Sequence, residues 1–202
     1  MNFKKILVLF LVAFMISCKN PYLTDPGFNP GIPEFNFLPV NESDVRWMQP
    51  YGFVDFGTST SNHIGFDFGV KSSGTPFYSC GDGVVSRIEY NTGKGYPGTN
   101  YSIVIQVSFR VFIDYHFEIG GSVSEDERKR NIFVKQGDYV KAGEKIANLI
   151  SVSDAAHVDF GIRLDDKRDK CPLYFFTTEA DIKLEALFDS VEKRPVRDNL
   201  CE

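Results

Sequence analysis

Three histidines occur in the 202-residue chain, and each lies in a stretch where polar and apolar side chains alternate. "HIGFDFG" places His63 and Asp67 four residues apart, with Phe66 and Phe68 flanking the aspartate and Gly65 offering no side chain. "FIDYHFEI" interleaves Asp114, His116 and Glu118 with Ile113, Tyr115, Phe117 and Ile119. "AAHVDFGIR" sets His157, Asp159 and Gly161 against Val158, Phe160 and Ile162. Successive side chains point to opposite faces of a strand, so in each stretch an apolar set enters a core and a polar set faces away. A lone histidine on such a face is more often a satisfied surface group than a ligand, and His157 and Asp159 could each simply hydrogen-bond a neighbour. Three histidines in the same setting, with aspartates in phase, point instead to a shared site. His, Asp and a second His or carboxylate around an open position form the donor set of a catalytic zinc centre.

The elements that must position these residues read as strands. "HIGFDFGV", "GVVSRIEY", "YSIVIQVSF", "VFIDYHFEI" and "HVDFGIRL" are short, β-branched and aromatic, and Gly, Asn, Asp and Pro separate them. "GDGVV" and "NTGKGYPGTN" are turn or loop material, and the charged run "GSVSEDERKRN" reads as a solvated loop. Near the end, "TTEADIKLEALFDSVEKRP" has apolar residues at helical spacing, with Thr178 and Asp181 as a cap and Pro195 past the stop. The expectation is one mostly-β domain over residues 46–202 with a short C-terminal helix.

Four segments in order, "HIGFDFG", "GTPFYSCGDGVV", "IFVKQGDYVKAGEKIANL" and "HVDFGI", resemble the lysostaphin-type zinc endopeptidases of bacterial cell walls. The family pattern is H-x-x-x-D, a "GTPVYAPADGVV"-like hairpin, a "VKxGDxVxxGxxIG"-like segment, and H-x-H. The resemblance runs from about Trp47 to about Phe176. Lipoyl and biotinyl carrier domains share the third segment alone, but their modified-lysine motif is missing here. The resemblance implies a compact antiparallel β-sandwich or barrel of the duplicated hybrid motif type. It implies that His63 and Asp67 are metal ligands and that His116 and His157 are catalytic-side histidines.

Asp159 departs from that pattern, standing where the third ligand is normally histidine. Zinc accepts carboxylate oxygen, so Asp159 can still serve as a metal ligand. Two carboxylates and a neutral imidazole would cancel the charge of a divalent ion, where one carboxylate leaves a positive charge over. A neutral centre polarises a carbonyl less, and oxygen-richer ligation favours harder ions such as manganese more than a His-rich set does. Two function classes follow. One is a metalloendopeptidase that cuts peptide cross-links in peptidoglycan. The other is a catalytically impaired module that binds peptidoglycan peptides or regulates a cell-wall hydrolase.

The chain opens "MNFKKILVLFLVAFMISCKN": Lys4 and Lys5, an apolar run from Ile6 to Ile16, then Ser17 and Cys18. The run is shorter than the ~20 residues a membrane span needs, and it has the layout of a signal peptide over residues 1–17. A small residue just before a cysteine resembles the lipobox of bacterial lipoproteins, which makes Cys18 the expected lipidation site. Ordinary cleavage to a soluble product is the alternative. Residues 18–45, with Pro21, Pro26, Pro30, Pro33 and Pro39, read as an extended tether. The expected location is the cell envelope, membrane-anchored through the lipid, on the periplasmic or surface side. Loss of Lys4 and Lys5 on processing moves the formal net charge from −5 to about −7, and nothing in that balance suggests nucleic-acid binding. Cys80, Cys171 and Cys201 would remain. Export predicts one disulfide and one free thiol, with Cys171–Cys201 favoured because the terminal helix can bring the chain back between them.

Overall fold

In a computed structural model the described residues are 31–55, 57, 59–91 and 100–201. The expected signal peptide and Cys18 lie outside them. The alternating stretches do form strands. An eight-stranded sheet runs in the order β12 (Glu192–Lys193), β1 (Val45–Gln49), β4 (Phe66–Val70), β11 (His157–Leu164), β8 (Val111–Glu118), β7 (Asn100–Gln106), β6 (Gly83–Asn91) and β9 (Tyr139–Val140). Its pairings are antiparallel except at one edge, where β12 runs parallel to β1. A small sheet pairs β5 (Thr75–Tyr78) with β10 (Lys145–Leu149), and β2 (Gly52–Asp55) forms a hairpin with β3 (Thr60–His63).

Burial along β8 alternates strictly from Val111 to Glu118, as the sequence pattern requires. Phe66, Phe68, Tyr115, Phe117, Val158 and Phe160 are fully buried on the apolar side. There they meet the small sheet, with the rings of Phe77 and Phe117 5.5 Å apart and Tyr101 stacked on Phe117 at 4.4 Å. The hydroxyl of Tyr115 donates to the Tyr78 carbonyl at 3.0 Å, and the Cys80 amide donates to that hydroxyl at 3.0 Å. Each such side chain contributes ~1.5–3 kcal/mol relative to exposure. The mostly-β architecture matches the expectation.

Helix α2 (Thr178–Ser190) closes the core with Ala180, Leu184, Leu187 and Phe188. It starts one residue earlier than expected, because the side chain of Thr177, not Thr178, accepts from the Ala180 amide. Cys171 and Cys201 are disulfide-bonded across this helix, and Cys80 is free and buried. The run "EDERKR", read as a loop, is instead the short helix α1 (Glu125–Arg130). Ser124 caps it through the Glu127 amide, acidic residues occupy its first turn and basic ones its last, and Arg128 is buried against the Asn100 carbonyl.

The later part of the Pro-rich segment is packed on the domain. Phe35 and Val40 are buried, the Phe35 amide donates to the Phe175 carbonyl, and Val40 bridges to Phe77. No described helix is long and apolar enough to cross a membrane.

Candidate metal centre

The polar face gathers the expected residues by register. Asp159 on β11 is paired with Asp67 on β4 and with His116 on β8, and His116 is paired with Ser102 on β7. One step along, His157 is opposite Glu118. His63 arrives differently. β3 ends at His63 and β4 begins at Phe66, so Ile64 and Gly65 turn the chain between two strands. The single strand expected over 63–70 is therefore broken, and the turn folds His63 back over Asp67.

All three histidines share one device: Nδ1 is anchored to an oxygen and Nε2 faces the carboxylates. His63 Nδ1 lies 2.9 Å from the Pro50 carbonyl, with Nε2 3.1 Å from Asp67 Oδ1. His157 Nδ1 lies 2.8 Å from the Ala155 carbonyl, and its Nε2 is 3.7 Å from both Asp67 Oδ2 and Glu118 Oε2. His116 Nδ1 is 2.6 Å from Ser102 Oγ, and its Nε2 is 3.7 Å from Glu118 Oε1. A carbonyl can only accept, so Nδ1 of His63 and of His157 carries a proton; a second proton on His63 Nε2 makes its hydrogen bond to Asp67, and without that proton Nε2 presents a lone pair. Anchoring the far nitrogen in this way orients ligating and proton-accepting imidazoles. The tilted ring of Trp47 lies 5.5 Å from that of His157.

His63, Asp67 and Asp159 each offer one ligand atom, and the three atoms lie within 4.8 Å of one another. One nitrogen and two carboxylate oxygens suit a divalent cation. Burial of His63 disfavours its charged form, but the hydrogen bond and charge of Asp67 outweigh that and raise its pKa above the ordinary value. An attraction for positive charge is therefore built into the centre.

One residue at the centre was not legible beforehand. Arg168 grips Asp159 with both arms of its guanidinium, Nη2 to Oδ1 at 2.6 Å and Nη1 to Oδ2 at 3.3 Å. β11 ends at Leu164, Asp165 and Asp166 both take positive φ (51° and 62°), and Lys167 bonds back to Leu164. This is the two-residue reversal in which aspartate is at home. It sends Arg168 back along β11 over Gly161, where any Cβ would sit 1.9 Å from Nη2. Gly65 is cleared in the same way: its Cβ would lie 2.3 Å from Asp159 Oδ1 and 2.5 Å from Arg168 Nη2. Gly161, shortly before the Asp165–Asp166 pair, was the one local signal; the part played by Gly65 left none. The expected charge of the centre changes accordingly, because Arg168 offsets the second carboxylate. Asp114, by contrast, is held by Arg163 at 2.8 and 3.0 Å.

Two grooves flank the centre. One, of about 400 Å³, is lined by Ser102, Asp114, His116, Asp159 and Arg168 among others. The other, of about 490 Å³ and more apolar, runs past Trp47, Asp67 and His157 to Arg194, Pro195 and Val196. A larger cavity of about 700 Å³ beside Val40, Tyr78 and Lys183 has no histidine in its lining.

No protein-family model matches the chain, and no curated protein does. Solved structures do show similarity. A zinc-containing peptidase from Vibrio cholerae is 26% identical over 66% of this chain, with a TM-score of 0.46. Helicobacter pylori Csd3 is 19% identical over 76% of this chain, with a TM-score of 0.49. The solution structure of lysostaphin is 18% identical over 73% of this chain, with a TM-score of 0.39. This chain spans 38%, 38% and 53% of those three chains, respectively.

Proposed function

We propose that the protein is an exported, lipid-anchored metalloendopeptidase that cleaves peptide cross-links in peptidoglycan. The observation that carries this reading is the convergence of His63, Asp67 and Asp159 within 4.8 Å, beside His157, whose Nε2 is 3.7 Å from Asp67, and His116, whose Nε2 shares Glu118 with it. The sequence resemblance supports the choice of substrate, and the N-terminal motif at Ser17–Cys18 supports the anchor. His63, Asp67 and Asp159 would hold a divalent cation, zinc first, which when bound supplies polarisation of the scissile carbonyl and a more acidic water. His157, with its proton fixed on Nδ1 by Ala155, keeps Nε2 free to take a proton from the attacking water. His116, steadied by Ser102 and directed at Glu118, is placed to hydrogen-bond the oxygen that gains charge. The two grooves give an extended peptide a path across the centre.

The test is digestion of purified peptidoglycan by the metal-supplemented protein, with mass analysis of the released peptides. Metal-dependent cleavage that disappears in His63→Ala and on chelation is expected. Binding to peptidoglycan without cleavage, with zinc or manganese supplied, would instead assign the impaired binding module.

A further inference from the structure

Resting on the reading that His63, Asp67 and Asp159 hold a divalent cation, we infer that Arg168 is a built-in competitor for that cation. In the folded chain the guanidinium takes the place on Asp159 that a metal needs, so metal binds by displacing it or against its charge.

The geometry of the fork supports this. Both oxygens of Asp159 accept from the guanidinium, so although the carboxylate already lies within 4.8 Å of the other two ligand atoms, a metal must share or take an oxygen that Arg168 holds. A guanidinium on the third ligand puts a positive charge next to the position of a divalent ion, and in a partly buried site that repulsion is weakly screened. The arrangement is specific. Gly161 and Gly65 keep open the channel through which the side chain passes, and a Cβ at either position would collide with it.

The grip is also incomplete. Arg168 Nε is buried with no hydrogen-bond partner, so leaving Asp159 breaks two bonds of a guanidinium that was never fully satisfied. A pair whose only role was structural would gain by satisfying that nitrogen. The adjoining groove is open beside Ser102 and Glu89, though Glu89 already pairs with Arg87 at 3.3 Å, so a displaced guanidinium gains solvent and a shared carboxylate there.

A consequence concerns Asp159→His. The substitution builds a two-histidine, one-aspartate ligand set but leaves Arg168 without its carboxylate, facing both the new imidazole and the metal. Tight zinc binding therefore requires Asp159→His and Arg168→Met together.

The experiment is calorimetric titration of zinc into the metal-stripped full chain, comparing wild type with Arg168→Met and Arg168→Lys, and with folding checked by thermal melts. Methionine keeps the length and apolar bulk of the stem. Arg168→Met is expected to bind zinc at least about tenfold tighter than wild type, a difference of ~1.4 kcal/mol. Lysine keeps the charge but cannot hold both oxygens, so its affinity should fall between the two. Equal or weaker binding by folded Arg168→Met would overturn the proposal and make Arg168 a positioning residue for Asp159, leaving the metal reading intact. Should the methionine variant fail to melt cooperatively, Arg168→Lys decides alone, and affinity no better than wild type overturns the proposal. Absence of zinc uptake by all folded variants, Arg168→Met included, would remove the metal reading and this proposal with it.

Discussion

The two faces of β4, β8 and β11 are built from alternate residues of the same strands, yet they are held by different physics. On the inner face Phe66, Phe68, Phe117, Val158 and Phe160 pack without directional demands, Phe68 against Phe66 and Phe160 and Phe160 against Tyr115, whose hydroxyl alone is hydrogen-bonded. On the outer face Asp67, Asp114, His116, His157 and Asp159 are arranged in discrete partnerships, each with a named donor or acceptor. Loss of an inner side chain leaves a void that no single second change refills. Loss of an outer one leaves a specific partner stranded, and removing that partner should recover much of the damage. The inner face therefore stores stability, and the outer face stores a charge arrangement.

The largest effect tests the inner face. Phe160 is fully buried, with ring centroids of Tyr115, Phe176 and Phe68 at 5.4, 6.1 and 6.2 Å. Phe160→Ala is expected to destabilise the fold by about 4 kcal/mol through lost burial and the cavity left behind. Denaturant unfolding measures it, and a loss below about 1 kcal/mol would mean that the core closes over the gap.

A smaller effect, with rescue, is expected outside. Asp159→Ala strands the Arg168 guanidinium, whose side chain is 16% exposed, and should cost about 3 kcal/mol. Asp159→Ala with Arg168→Met should be more stable than Asp159→Ala alone, because no uncompensated charge remains. Additive destabilisation in that double-mutant cycle would erase the contrast between the faces. Both Asp159 variants should also lose metal, which separates the structural role of the pair from its role at the centre.

That contrast also explains what could be read from the chain. Alternation with a period of two is a local signal, so the strands, the inner face and the in-phase positions of His116, His157 and Asp159 were all legible. The Cys171–Cys201 pairing followed from an amphipathic segment long enough to form the intervening helix. His63 was placed on the right side for an incomplete reason, since a turn at Ile64–Gly65, not a continuous strand, brings it to Asp67. Arg168 escaped because its position depends on a chain reversal at Asp165–Asp166, itself held by Arg110, and on the absence of side chains at two distant glycines. Helix α1 escaped because a short charged run forms a helix only when its cap and its buried Arg128 find tertiary partners. Pairwise partnerships between separated segments leave little periodic trace, and the outer face consists of them.

The smallest effect lies at the junction of the inner face with the small sheet, where a titratable group is treated as core. Cys80 is fully buried, and that burial pushes its thiol up to about 12, against a smaller opposing contribution from the Tyr115 hydroxyl. A thiolate is the reactive species, so the native protein at pH 8 should resist alkylation at Cys80 over hours, while the denatured protein reacts fully. Alkylation at equal rates would mean that the junction opens readily. The same shift sets a pH dependence. Because the folded pKa exceeds the unfolded value, the contribution to stability is complete below about pH 9 and is lost as the pH rises toward about 12. Tyr115, whose pKa burial also raises well above the ordinary value, acts in the same direction. Cys80→Ala should therefore cost about 1 kcal/mol at pH 7 through the void it leaves and flatten part of the alkaline decline, leaving the tyrosine share. An unchanged alkaline decline would place the whole of it on the tyrosines, and the thiol would then be a packing group with no part in the pH response.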